Sequence, residues 1–161
     1  MKYAMKEVEK KEKVRNMGLF VAFAIIALLG AMTYVRLAPS DAAAWHALPN
    51  LALWDQGGPV DQVIPMTGAA AVHLSAAKGD PAALLARLDA IATATPRTTR
   101  IAGSVPEGRI TWQTRSALWG FPDFTTAEVR PDGLYVYARL RFGKDDMGVN
   151  AKRLNDWVSA L

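Results

Sequence analysis

Residues Met17 to Val35, MGLFVAFAIIALLGAMTYV, form a run of 19 without a charge. At about 1.5 Å of rise per residue, such a helix approaches the ~30 Å hydrocarbon thickness of a bilayer. In front of it, Lys2, Lys6, Lys10, Lys11, Lys13 and Arg15 stand against Glu7, Glu9 and Glu12. A flank rich in Lys and Arg stays on the cytoplasmic side. The pattern therefore predicts a cytoplasmic basic tail (1–16) and one transmembrane helix (17–36). The rest would lie on the periplasmic side of a bacterial inner membrane. Met17, Phe20, Phe23, Ile25, Leu28 and Tyr34 are the expected anchor residues. The apolar core exceeds the about 7–15 residues of a signal peptide, and Arg36-Leu37-Ala38-Pro39 is a poor small-x-small cleavage site, so retention of the anchor is expected.

The net charge of +4 is misleading for the chain as a whole. Without the tail, 13 basic side chains face 12 acidic ones. The basicity belongs to the tail, where it meets anionic headgroups. With no basic domain, nucleic acid is not an expected partner. The chain has no cysteine, so disulfides and thiolate metal sites are excluded. His46 and His73 are its only imidazoles, in weakly patterned surroundings, and neither a metal nor a cofactor is expected. There is no Gly-rich phosphate loop and no Gly-x-Ser-x-Gly elbow.

Beyond the anchor, prolines and glycines break up residues 37–79, yet Trp45, Leu51, Trp54, Val60 and Val63 are too apolar for a free linker. An irregular segment packed along a domain is expected, with a short strand at 70–74. Asp80 then offers an N-cap and Pro81 a first helical residue. Leu84, Leu85, Leu88 and Ile91 give one apolar stripe, and Pro96 stops the helix. Period-two alternation follows around Ile101, Ile110 to Thr114, Ala127 to Val129, and Leu134 to Phe142, with turns at Pro106-Glu107-Gly108 and Pro131-Asp132-Gly133. Leu154, Trp157, Val158 and Leu161 mark a closing amphipathic helix with Asp146 as its cap. The expected class is α+β: a two-layer sandwich in which two helices cover an antiparallel sheet of about four to five strands.

Two stretches then resemble a known family. QTRSALWGFPDF carries Arg115, Ser116, Gly120, Phe121 and Asp123. ARLRFGKDDMGVNAKRL carries Arg141, Gly143, Asp146, Gly148, Asn150 and Arg153. Both are similar to motifs of the bacterial and plastid family known as domain of unknown function 1499, over roughly residues 80–161. Ala138-Arg139-Leu140-Arg141 departs from the Ser-x-Ser-Arg strand of many members, and their cysteine-containing segment is absent. The resemblance implies a fold and an anchored or exported domain, and no reaction.

The candidate ligand-binding residues are Arg115, Asp123, Arg139, Arg141, Asp146, Asn150 and Arg153. One reading is an anion site at the start of the last helix, flanked by Arg141 and Arg153. The other is structural, with Asp146 capping and Asn150 and Arg153 tying down the loop. Alternation also puts Arg100, Arg109, Arg115, Arg130, Arg139 and Arg141 on a solvent face with Tyr135 and Tyr137. That face would suit phosphate headgroups, an acidic glycan or an acidic protein patch. The expected function is a non-catalytic binding domain or accessory subunit of a membrane complex. Its expected partner is a protein complex, an anionic lipid headgroup or an envelope polymer. The alternative is an envelope-metabolism enzyme with a polar cleft around Asp123, Asp146 and Asn150.

Overall fold

The computed structural model describes residues 2–161, and the chain divides after Ala38 into two compact units. The first is a single helix, α1 (Lys2–Leu37), which runs through basic tail and apolar run with no break at residue 16 or 17. Within it, Met5–Leu37 is long and apolar enough to cross a membrane. Met17, Phe20, Phe23, Ile25, Leu28 and Tyr34 are all exposed. A helix apolar on every side has no stripe to turn inward, and exposed apolar side chains all round suit lipid. Thr33 donates its hydroxyl to the Leu29 carbonyl at 2.8 Å, satisfying a polar group within the span.

The second unit is built on a six-stranded antiparallel sheet. Its strands are β1 (Ile64–Met66), β2 (Ala69–Ser75), β3 (Thr98–Ser104), β4 (Arg109–Arg115), β5 (Pro122–Arg130) and β6 (Gly133–Leu140). They lie side by side in the order β1-β2-β6-β5-β4-β3. The class is α+β as expected, with more strands than four to five. β2 is the short strand expected at 70–74, and the additional β1 lies inside the stretch that reads as irregular. β1 holds Pro65 and is an edge strand, the place where a missing N–H is tolerated. In β2, Ala69 to Val72 are all buried, so both faces of the strand are covered and alternation disappears.

One face is covered by α4 (Pro81–Ala94) and α5 (Val149–Ser159). Asp80 accepts the Ala83 amide at 2.8 Å and Pro81 opens α4. Leu84, Leu85, Leu88 and Ala92 then meet Val72, Ile110, Trp112, Val136, Leu154 and Trp157 in one core. Fully burying each large side chain is worth about 1.5–3 kcal/mol.

Residues 39–58, with the short helices α2 (Ala42–Trp45) and α3 (Ala52–Asp55), lie over the opposite face. Trp45 stacks on Phe124 at 4.0 Å, and Phe124 is fully buried. Trp54 stands edge-on to Tyr135 at 5.0 Å. The sandwich thus gains a third layer there, and the predicted solvent face is a covered one.

Candidate functional site

The two family-like stretches meet at one end of the sheet. Asp123 stands near the start of β5, directly opposite Leu140 of β6 and Thr114 of β4. Arg153, one turn into α5, donates to Asp123 Oδ2 at 3.0 Å and to Asn150 Oδ1 at 2.7 Å. Asn150 is completely buried. Asp146 accepts the Gly148 amide at 3.1 Å and the Asn150 amide at 2.8 Å, which satisfies donors at the start of α5. Burial pushes the Asp123 carboxyl above its ordinary range. The neighbouring Arg153 draws it down by less, and the Asp146 charge adds to the rise. Asp123, Asp146, Asn150 and Arg153 are therefore brought together, and each bonds within the cluster or to a local amide.

Arg139 and Arg141 serve the other face. Arg139 donates to the Trp45 carbonyl at 2.9 Å and to the Ala47 carbonyl at 3.1 and 3.2 Å, with its guanidinium 5.1 Å from the Trp45 ring centre. Its half-buried position pulls its pKa down. Arg141 donates to the Pro39 carbonyl at 3.0 Å and to Ser40 at 3.2 Å. Arg109 and Arg130 both bind Glu128, and Arg130 lies 4.5 Å over Tyr135. Of the six arginines predicted for a free recognition surface, all but Arg115 are engaged by acids or by residues 39–47. A β-bulge between Arg100 and Ala102 turns Arg100 onto the helical face, where it pairs with Asp89 beneath Trp112.

Two adjoining grooves open at the Asp123 end. The apolar one, of about 490 Å³, is walled by Trp119, Phe121, Leu140, Phe142, Met147 and Val149, with Asp123, Asp145 and Asp146 beside them. Met147 is 95% exposed, a value unusual for an apolar side chain that walls a groove on a folded domain. The second groove, of about 470 Å³, is lined by Arg97, Arg115, Lys152 and Arg153 with Asp156 and Trp157. Ser116 and Val149 line both. Arg97 and Arg115 are held side by side: the Arg115 amide donates to the Arg97 carbonyl at 3.0 Å, and Arg97 Nε to the Arg115 carbonyl at 3.1 Å. Arg115 also donates to the Gly120 carbonyl at 3.1 Å.

Around these grooves sequence reasoning names Arg115, Asp123, Asp146 and Arg153 as site residues and Phe121 as a motif residue, and misses Arg97, Phe142, Met147 and Lys152. The available signal was Ala117-Leu118-Trp119, three apolar residues in a loop with no strand or helix to bury them.

A sequence model of a family described as protein of unknown function (DUF1499) matches residues 58–161, well over half of the chain. The match begins before β1, about twenty residues ahead of the resemblance at 80–161, so β1 and β2 belong to the shared domain. No curated protein matches the chain.

Proposed function

The chain belongs to the DUF1499 family, and from that premise we propose that it is a non-catalytic binding module, an accessory subunit of a membrane complex. α1 holds it to a bacterial inner membrane, with residues 39–161 on the periplasmic side. The observation that carries this reading is the contrast between the two kinds of residue at the Asp123 end. The polar motif residues bond to one another and to loop amides, whereas Trp119, Phe121 and Met147 stay exposed around a groove. Exposed clustered apolar surface on a folded domain marks contact with a partner. The basic tail and uncharged run support the orientation.

Co-purification from membranes in mild detergent tests this, comparing wild-type chain with Phe121→Ser and Met147→Ser. A defined membrane complex is expected with wild-type protein and lost with both variants. A free monomer in every preparation would sink the reading. A reporter fused after Leu161 is expected to be active only outside the cytoplasm.

A second reading, an envelope enzyme, has one observation in its favour. Asp123 lines a groove with a carboxyl whose pKa is raised by burial, a state suited to proton donation. Such an enzyme loses its activity in Asp123→Asn while partner binding survives.

A further inference from the structure

We propose that the Arg97–Arg115–Lys152 groove is a headgroup site for an anionic phospholipid of the anchoring bilayer, with the acyl chains lying along the adjoining apolar groove. The inference rests on reading this end of the domain as its binding surface and gives that surface a ligand.

Among the described residues, Arg97 and Arg115 make no ion pair; their guanidinium bonds go to backbone carbonyls. Both line one groove, and cations without an acidic partner on a shared wall favour an anion bound between them. Arg97 also has φ of +61°, a left-handed conformation that an arginine adopts at a cost and that glycine or asparagine fits better. A cation thus stands at a position whose backbone suits glycine or asparagine better. Lys152 on α5 adds a third charge, 77% exposed and paired with Asp156 at 2.6 Å. Ser116 offers a hydroxyl where the two grooves join, although that oxygen already accepts the Phe121 amide at 3.0 Å.

The neighbouring groove supplies the apolar half. Phe121 and Phe142 face one another at 6.3 Å, and Trp119, Leu140 and Met147 continue the wall. Its acids are engaged locally and none pairs with Arg97, Arg115 or Lys152. Asp123 is bound to Arg153, and Asp145 and Asp146 accept amides of residues 147, 148 and 150. A charged site joined to an apolar trough matches an amphiphile better than a free anion or a wholly apolar ligand.

The point of entry of the chain indicates where that amphiphile comes from. α1 ends at Leu37, and Pro39, two residues on, is already held by Arg141 of the domain. Arg141 lies 4.9 Å from the Phe142 ring that walls the apolar groove. The first residue of the domain is thus held by the neighbour of a residue that walls the apolar groove.

The absence of cysteine allows a local probe. Ala117, exposed on the rim of the basic groove, is replaced by Cys and labelled with a polarity-sensitive dye in the full chain, in neutral micelles. Short-chain phosphatidylglycerol is expected to give a saturable response at least about tenfold tighter than phosphatidylcholine of the same chain length. Arg97→Asn combined with Lys152→Gln, both exposed and compatible with the backbone, should remove that preference. Arg87→Gln, which lines a groove elsewhere with Asp61 and Lys78, should keep it. Equal responses to the two lipids, or a preference unchanged in the double variant, overturn the proposal. Glycerol phosphate binding as tightly as the lipid overturns the acyl part. The co-purification described above is repeated with the double variant. A complex retained while the lipid response is lost separates this inference from the binding-module reading.

Discussion

Toward α4 and α5 the sheet presents Val72, Ile110, Trp112, Leu134 and Val136, side chains that bond to almost nothing and are held by burial. Toward residues 39–58 it presents Thr111, Gln113, Phe124, Thr126 and Arg139. There the contacts are directional. His46 Nδ1 meets the Thr111 hydroxyl at 3.0 Å and its Nε2 meets Glu107 at 2.8 Å; Thr126 donates to the Trp45 carbonyl at 3.1 Å. One face is thus sealed by area, and the other by polar groups that reach the backbone of an irregular strap. Area accumulates across a face, whereas each net hydrogen bond contributes only about 0.5–1.5 kcal/mol. The strap is therefore expected to open before the helices do.

A matched pair of tryptophans gives the largest test of that difference. Trp112 is fully buried on the helical face and donates its indole N–H to Asp89 at 2.9 Å. Trp112→Ala should cost about 3–5 kcal/mol. Trp45, half-buried on the strap, stacks on a single ring, and Trp45→Ala should cost clearly less. Urea midpoints of the full chain in micelles measure both. Equal losses would mean that the strap is part of the cooperative core and would break the comparison.

Gly103 sharpens it at a single atom. Its φ is +82°, and an added Cβ would stand 2.0 Å from the Arg109 carbonyl oxygen and 2.6 Å from the His46 ring. Gly103→Ala combines a disfavoured backbone conformation with a clash that β3 and β4 relieve only by shifting, a penalty of about 1–3 kcal/mol. Amide exchange should accelerate most in residues 42–47, because the ring that must move belongs to the strap. Acceleration spread evenly into α4 would show that the two faces are mechanically one.

The difference between the faces also explains what could be read in the sequence. Burial against a helix leaves a period. Leu84, Leu85 and Leu88 on α4, and Ile110 and Trp112 on β4, stand in register with the core that they form. The Asp80 cap and the Asp146 acceptor were legible for a related reason, since both act within four residues. The strap leaves no such trace. Arg139 finds its partners 92 and 94 residues away, and those partners are carbonyls, which every residue carries. Alternation correctly put Arg139 and Tyr137 on one side but had no means of showing that the side was covered. For Arg100 even the side was wrong, because one bulged residue, Ile101, resets the alternation. In the site, the motif residues announced themselves by resemblance. Arg97 and Lys152 did not, because a cation at a helix-to-strand turn and one on an exposed helix look alike until the fold puts both in one groove.

The smallest expected effect lies where the helical face stops behaving as pure area, at Asp123 beneath α5. Burial raises this carboxyl above its unfolded value of 3.8 despite Arg153, so the folded state holds its proton to higher pH than the unfolded chain does. Below 3.8 both states are protonated and the contribution to stability is fully present; as pH rises through the folded pKa it is lost. The stability of wild type relative to Asp123→Asn should therefore fall as pH climbs from about 4, then level off once the folded pKa is passed. Urea midpoints for both proteins across that range measure the difference directly. A relative stability that rises with pH would mean that Arg153 outweighs burial. The pair would then resemble the ion-paired arginines of the strap face, and polar anchoring would no longer distinguish one side of the sheet from the other.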